Sequence, residues 1–85
     1  MPRWESITRG APSPVYRQLA RVLAESIDAG EYSPAQKLPS ESDIQQLTGI
    51  APMTTRKAFR LLAERGRART IPARGTFVEP VGDLD

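Results

Sequence analysis

Basic side chains that could bind phosphate are concentrated between residues 56 and 74 of this 85-residue chain. That stretch holds seven Lys or Arg and one acid, for a local charge of +6, whereas residues 1–55 sum to −1 and residues 75–85 to −3. Guanidinium and ammonium groups at this density attract polyanions, so the sequence predicts a phosphate-rich partner. The groups are Arg56, Lys57, Arg60, Arg65, Arg67, Arg69 and Arg74, with Glu64 as the acid.

The composition argues against an enzyme. The chain has neither Cys nor His, so disulfides, thiolate metal sites and the commonest general base are missing. The acids are scattered, and we expect no catalytic residue, no metal site and no cofactor. No apolar run approaches the ~18 residues of a membrane span, and the N-terminus lacks the apolar core of a signal peptide. We therefore expect one small cytoplasmic domain that does not interact with a membrane.

Capping residues and glycines predict two helices in the first half of the chain. Ser13-Pro14 is a helix start, with Ser as the cap and Pro at the first helical position, and Gly30 ends this helix. Ser40 starts a second helix, with Asp43 completing a capping box, and Gly49 ends it. The apolar residues expected to face inward are Val15, Leu19, Leu23 and Ile27 in the first helix and Ile44 and Leu47 in the second.

A third helix is predicted from Pro52 to about Glu64 or Arg65, before Gly66. At 100° per residue its apolar side chains share one face, and its charged side chains share the opposite face. The predicted core face comprises Thr55, Ala58, Phe59 and Leu62. The predicted solvated face comprises Met53, Lys57, Arg60 and Glu64, with Arg56 on the flank.

After Gly66 the pattern changes to that of a β-hairpin. Residues 67–71 alternate, residues 72–75 form a turn that contains Arg74, and residues 76–78 are strand formers. The predicted fold is mainly α with a small β-hairpin, a winged helix-turn-helix of three helices plus a two-stranded wing. We divide the chain into a flexible arm (1–12), the domain (13–79) and an acidic tail (80–85).

A short helix, a tight turn and a charged third helix are typical of duplex DNA recognition. The second helix of such a pair enters the major groove while its partner crosses the backbone. Arg74 at the hairpin tip is placed to enter the neighbouring minor groove. The residues predicted to reach base edges are Met53, Thr54, Lys57 and Arg60, and the hydroxyls of Ser40 and Thr54 suit phosphate oxygens.

Simpler roles are open for several of these side chains. Lys57 and Arg60 are equally well explained as solvated charges on a helix surface. Met53 either contacts a thymine methyl group or fills a half-buried gap. Thr55 is expected in the core despite its hydroxyl. Three further arginines are more typical of solubilising charges than of base contacts, and they are Arg65, Arg67 and Arg69.

Several blocks of the chain resemble the N-terminal domain of the GntR family of bacterial transcription regulators. The resemblance spans about residues 13–78. It implies a winged helix-turn-helix that binds operator DNA, mostly as a dimer on palindromic sites and mostly as a repressor. It also implies a bacterial cytoplasmic protein, associated with the nucleoid when bound. The matching blocks are residues 14–19 (PVYRQL), 30–34 (GEYSP), 37–41 (KLPSE), 48–59 (TGIAPMTTRKAF) and 74–78 (RGTFV).

By position, the resemblance also implies which residues contact DNA. They are Ser40 and Ser42 at the second helix start, residues 51–54 with Arg56, and wing residues 73–75, which include Arg74 and Gly75. Two departures stand out: Ala51-Pro52 replaces the common Ser or Thr followed by Arg, and Ala73 replaces the usual glycine. Base reading is then expected to depend on Met53, Thr54, Arg56, Lys57 and Arg60.

Family members usually continue into a ligand-sensing and dimerising domain, whereas this chain ends just after the wing. It is therefore either a DNA-binding domain cut from a longer regulator or a small stand-alone regulator. In both cases we expect no effector site in this chain, and a homodimer at least on DNA. Two other functions stay open: a winged-helix module that binds a protein, and an architectural DNA binder that ignores sequence.

Overall fold

The structure is a computed structural model that describes residues 2–81. Three helices, α1 (Val15–Asp28), α2 (Glu41–Thr48) and α3 (Pro52–Glu64), are followed by an antiparallel hairpin of β1 (Ala68–Ile71) and β2 (Gly75–Val78). The pairing runs from Ala68 opposite Val78 to Ile71 opposite Gly75, so residues 72–74 form the turn. The predicted fold class, a winged helix-turn-helix of three helices and a small wing, is confirmed.

One apolar core joins the helices to the hairpin. The side of α3 predicted to face inward is buried, including Thr55, whose side chain is 0% exposed. This side packs against α1, α2 and β1, so α3 is fixed from three directions. The other main core residues are Leu19 and Leu23 of α1, Leu38, Ile44 of α2, Ile50, Ala68 and Val78.

Residues 35–38, between α1 and α2, form a third segment of the wing. The sequence analysis treated this segment only as a connector. Lys37 lies opposite Phe77 in an antiparallel bridge. Pairing with β2 satisfies backbone groups of this segment, in which residues 35–37 are exposed and Leu38 is buried. The hydrogen bonds run from Leu38 N to Thr76 O (2.8 Å), from Val78 N to Gln36 O (2.9 Å) and from Ala35 N to Val78 O (2.8 Å).

Two local predictions are wrong. The side chain of Ser13 does not cap α1: Pro14 is the N-cap residue, and the carbonyl of Ser13 accepts a hydrogen bond from Gln18 Nε2 instead (2.8 Å). Leu47 does not face inward, since its side chain is 54% exposed. The short helix α2 buries only a narrow stripe centred on Ile44, and Leu47 falls outside that stripe.

The segment predicted as a flexible arm makes specific contacts with α1. The buried amide of Gln18 pairs with the backbone of Thr8: its Oε1 accepts from Thr8 N (2.7 Å) and its Nε2 donates to Thr8 O (2.9 Å). Trp4 and Ile7 pack against the core. The division into arm, domain and tail stays a prediction, and residue 1 and residues 82–85 lie outside the described residues.

Two alanines adopt the left-handed backbone conformation that favours glycine. Ala35 has a φ of 67° and follows Pro34 in the connector, and Ala73 has a φ of 65° in the wing turn. A residue with a Cβ atom pays roughly 1–2 kcal/mol in this conformation. The wing turn is therefore held in its shape by the pairing of its strands, against a local preference of the chain.

Replacing Ala73 by glycine should relieve this strain. We expect Ala73→Gly to raise the free energy of unfolding by about 1 kcal/mol, measured by chemical denaturation. The matched control is Ala29→Gly at the end of α1, where φ is −79° and alanine is unstrained. There the same change should lower stability by roughly 0.5–1 kcal/mol. A loss of stability in both variants would contradict the strain at Ala73.

Candidate nucleic-acid interface

A groove of about 860 Å³ lies between the start of α2, the outer side of α3 and the wing. Its lining joins residues up to 39 positions apart in sequence, from Ser40 to Glu79. Met53, Thr54 and Lys57 lie on the first two turns of α3, outside the lining. The structure therefore brings six of the nine predicted contact residues to one concave surface. They are Ser40, Ser42, Arg56, Arg60, Arg74 and Gly75.

Ser40 is held at the start of α2 by the predicted capping box, which is confirmed. Asp43 N donates to Ser40 Oγ (3.0 Å), and Ser40 N donates to Asp43 Oδ2 (3.1 Å). Since the Ser40 oxygen acts as the acceptor, its hydroxyl proton remains available to a phosphate oxygen. The bonds from Ser40 lower the pKa of Asp43. The cap is therefore formed above the unfolded pKa of about 3.9 and is lost as the pH falls through the lower folded value.

Arg56 forms a bidentate ion pair with Glu41 across the helix-turn-helix. Its Nε lies 2.9 Å from Glu41 Oε2 and its Nη2 lies 3.1 Å from Glu41 Oε1. The side chain of Arg56 is 54% exposed and that of Glu41 is 29% exposed. Solvent-exposed pairs contribute at most about 1 kcal/mol to folding, so the main effect of this pair is to orient the guanidinium plane.

This orientation decides which donors of Arg56 stay available. A guanidinium has five N–H groups, and Glu41 takes the one on Nε and one of the two on Nη2. Nη1 lies 3.5 Å from the sulfur of Met53, a weak acceptor. The three N–H groups that Glu41 does not take include the end-on fork, one on Nη1 and one on Nη2, which suits a second bidentate contact.

Met53 and Lys57 are both displayed to solvent near the start of α3. Met53 is 59% exposed, so it is not the half-buried filler that the sequence left open. Lys57 is exposed, as is Arg60 one turn further along. Within residues 2–81 neither Lys57 nor Arg60 has an ion pair or side-chain hydrogen bond. Both charges are therefore available to a partner.

Two arginines of the basic stretch have structural roles that the sequence analysis missed. Arg67 pairs with Asp28 at the end of α1 and also donates to Ala24 O (3.4 Å). Arg69 Nε lies 3.3 Å from Glu79 Oε2, which joins β1 to the residue after β2. With Arg56, at least three of the seven basic residues between 56 and 74 therefore pair with acids of the described residues from outside that stretch. The local charge of +6 overstates the field that a partner meets.

The start of α3 lacks the side-chain cap that α2 has. Ala51 is the N-cap residue, with φ −62° and ψ 147°, and it makes no side-chain capping bond. Pro52 follows at the first helical position and has no N–H group. In this first turn Thr54 N donates to Ala51 O (3.0 Å), and the N–H of Met53 is left to solvent or to a bound anion.

Two other kinds of site, a membrane-spanning helix and a cluster of metal ligands, do not occur among the residues that the structure describes. No helix within residues 2–81 is long and apolar enough to cross a membrane. Among the same residues, no three His, Cys, Asp or Glu side chains come together as a metal site would require. The groove at α3 and the wing is the candidate functional site because it gathers six of the predicted contact residues.

A serine at position 51 should supply the missing cap. Because the backbone angles of Ala51 already suit an N-cap residue, we expect Ala51→Ser to raise the free energy of unfolding by about 1 kcal/mol. Ala63→Ser, the same change at an exposed position near the end of α3, is the control and should slightly lower stability. Thermal or chemical denaturation measures both. Equal effects at the two positions would refute the missing cap.

Comparison with known proteins points to one family. The family described as "Bacterial regulatory proteins, gntR family" matches residues 15–78. The chain is 39% identical over 66 residues to the mannosyl-D-glycerate transport/metabolism system repressor MngR of Escherichia coli K12, covering 78% of this chain and 28% of MngR. It is 37% identical over 73 residues to the transcriptional repressor NagR of Bacillus subtilis 168, covering 86% of this chain and 30% of NagR.

Solved structures agree with this result. YtrA from Sulfolobus acidocaldarius, a GntR-family transcription factor, matches with a TM-score of 0.76 and 30% identity over 85% of this chain and 76% of that chain. AraR(DBD) in complex with operator ORR3 matches with a TM-score of 0.74 and 30% identity over 85% of this chain and 93% of that chain.

The chain spans only about 30% of the length of these curated relatives. The relatives are transcription regulators, which confirms the prediction that the chain is not an enzyme. With the family match covering most of the chain, the protein belongs to the GntR family of bacterial regulatory proteins.

Proposed function

We propose that this chain is a sequence-specific double-stranded DNA-binding domain of a transcription regulator, and that the regulator represses. The observation that carries the proposal is the groove that joins the start of α2, the outer side of α3 and the wing. A groove of this kind lets one duplex contact a helix and a hairpin at once. The AraR domain in complex with operator DNA and the repressors MngR and NagR support the same function.

In this proposal α3 (52–64) enters the major groove of DNA. Met53, Thr54 and Lys57 lie on its first two turns, which is the part of a recognition helix that reaches base edges. The end-on fork of Arg56 suits O6 and N7 of a guanine, a bidentate contact worth about 1–3 kcal/mol of discrimination. Arg60 lies one turn deeper and contacts a further base or a phosphate.

The wing and the start of α2 supply the other contacts. Arg74 lies in the wing turn, next to Gly75, and we place it in the minor groove, where the negative potential favours arginine. The hydroxyls of Ser40 and Ser42, with the backbone N–H groups at the start of α2, bind phosphate oxygens. These contacts fix the position of α3 along the duplex.

We further propose that two copies bind a palindromic operator. Two recognition helices on successive major grooves lie about 34 Å apart, so a symmetric site would be read by a homodimer formed at least on DNA. A regulator of this kind acts in the bacterial cytoplasm, at the nucleoid when bound. We assign no small-molecule effector site to the described residues.

A second candidate function is architectural binding that ignores sequence. The feature that favours it is the start of α3, where Ala51-Pro52 supplies neither a capping hydroxyl nor a basic side chain. Phosphate contacts would then dominate, and they carry no sequence information.

Selection of bound sites from random duplexes separates these functions. The proposal predicts an enriched consensus with two inverted half-sites about 10 base pairs apart, centre to centre. A bound pool that stays random would favour architectural binding. A failure to retain any duplex would reject both DNA functions and leave the protein-interaction module.

The role of Arg56 can be tested on the selected duplex. Arg56→Ala should weaken binding by about 1–3 kcal/mol on the selected site and by much less on a scrambled duplex, measured by fluorescence anisotropy. The control is Arg65→Ala, which removes an exposed arginine in a separate groove between α1 and the end of α3. Equal losses on both duplexes would assign Arg56 to phosphate rather than to a base.

The orienting role of Glu41 predicts different effects on the two duplexes. Glu41→Gln removes a negative charge beside DNA phosphates, so binding to the scrambled duplex should become tighter. It also releases the guanidinium of Arg56, so the ratio of selected to scrambled affinity should fall. Because the pair is partly exposed, stability should change by less than about 1 kcal/mol. An unchanged affinity ratio would show that Arg56 reads DNA without this support.

A further inference from the structure

Lys37 is a cation that neither the sequence analysis nor the groove lining includes among the contact residues. It lies in the third segment of the wing (residues 35–38), opposite Phe77 of β2. In an antiparallel pair, side chains on one face also meet their diagonal neighbours two residues along the partner strand. Gly75 is that neighbour toward the turn, so the side chain of Lys37 runs along the exposed face of the wing toward its tip.

The contact between Lys37 and Gly75 is close. A Cβ atom on residue 75 would lie 2.6 Å from Cε of Lys37 and 3.5 Å from its Cδ and Nζ. Gly75 also has a φ of 128°, a conformation that side chains rarely allow. Of the five described glycines with positive φ, Gly75 alone would place a Cβ atom within 3.5 Å of another residue. Because residue 75 has no side chain, the stem of Lys37 has room to lie against its backbone.

The stem of Lys37 lies along Gly75, and its ammonium group forms no ion pair with a described residue, although its charge, after the hydrogen bonds from Ser40, helps to lower the pKa of Asp43, with which it lines a shallow depression. Within residues 2–81, no carboxylate forms an ion pair with it, and it makes no side-chain hydrogen bond. Of the two acids on α2, Glu41 is paired with Arg56 and Asp43 is bonded to Ser40 N. The pairing of Arg56, Arg67 and Arg69 shows that basic side chains near the wing readily find acids in this fold. The ammonium group of Lys37 instead lies beside Gly75, the residue that follows Arg74 in the wing.

We propose that Lys37 is a DNA phosphate contact of the wing, guided to the backbone beside the minor groove by the bare surface of Gly75. The inference rests on the proposed DNA-binding function and adds the connector between α1 and α2 to the interface. A lysine is suited to this role, because it is a compact point charge that binds phosphate without requiring a fixed plane. The contact would add affinity on any duplex and would carry no base preference.

A purely structural role is the alternative, in which Lys37 only covers the apolar surface of the wing with its methylene stem, as long basic side chains often do. Lys37→Met separates the two roles, because methionine keeps an unbranched apolar stem over Gly75 and removes the charge. Lys37→Arg keeps the charge and tests rescue. Arg21→Met is the matched control, since Arg21 is exposed in the groove between α1 and the end of α3.

The experiment is a titration of each variant with a random-sequence duplex between about 50 and 200 mM salt, where each phosphate contact adds about 0.9 to the steepness of log K against log salt. We expect Lys37→Met to weaken binding and to reduce the steepness by about 0.9. Lys37→Arg and Arg21→Met should keep the wild-type steepness. Melting curves of the free proteins check that all variants are folded.

The outcomes distinguish the two proposals. Salt-dependent binding by the wild type with unchanged steepness in Lys37→Met would overturn the Lys37 contact and leave the proposed function intact. A reduced steepness in Arg21→Met equal to that in Lys37→Met would also overturn it, because the effect would then follow net charge and not position. No duplex binding by the wild type would reject the proposed function and the contact together.

Discussion

The burial of one side of α3 is the constraint on which the rest of the structure depends. Thr55, Ala58 and Phe59 are at most 6% exposed, and the helix side that they form packs against α1, α2 and β1. A helix has 3.6 residues per turn, so fixing these positions leaves the rotation of α3 no freedom. Arg56 and Arg60 must then point away from the core. The same apolar contacts that fold the domain therefore present the charged side of α3.

Ion pairs refine what the apolar core sets up. The pairs of Arg67 with Asp28 and of Arg69 with Glu79 tie the hairpin to α1 and to the chain after β2. The pair of Arg56 with Glu41 instead lies at the groove and orients a side chain that keeps donors for a partner. Basic residues that look equivalent in the sequence thus differ in role: Arg67 and Arg69 hold the wing, although Arg69 also lines the groove, whereas Arg56 keeps donors for a partner. Among the described residues, Lys57 and Arg60 of α3 remain without an ion pair.

Much of the fold could be predicted because each helix has its own local signals. The buried side of α3, the capping box of α2 and the hairpin all follow from periodicity, short-range hydrogen bonds and turn residues. The third segment of the wing (residues 35–38) could not be predicted, because its pairing joins residues about 40 positions apart and leaves no local pattern. The burial of Thr55 was predicted, but the sequence did not show that its hydroxyl would have no hydrogen-bond partner among the described residues.

The candidate site was predictable in its types of residue but not in their partners. Charge density indicated the right part of the chain, yet nothing in the sequence links Arg56 to Glu41, which lies 15 residues away. The buried amide of Gln18 had a visible signal, since a polar residue interrupts the apolar side of α1. Its role in fastening Thr8 depends on the tertiary position of the arm.

The central claim is that one continuous surface, formed by the starts of α2 and α3 and by the wing, meets the duplex. Backbone amide NMR shifts of the labelled protein, followed as duplex DNA is added, test it most directly. The account predicts large shifts at residues 40–42, 53–57 and 73–75, with α1 residues such as Arg17 and Arg21 nearly unchanged. Shifts concentrated on α1, or on α3 without the wing, would contradict it.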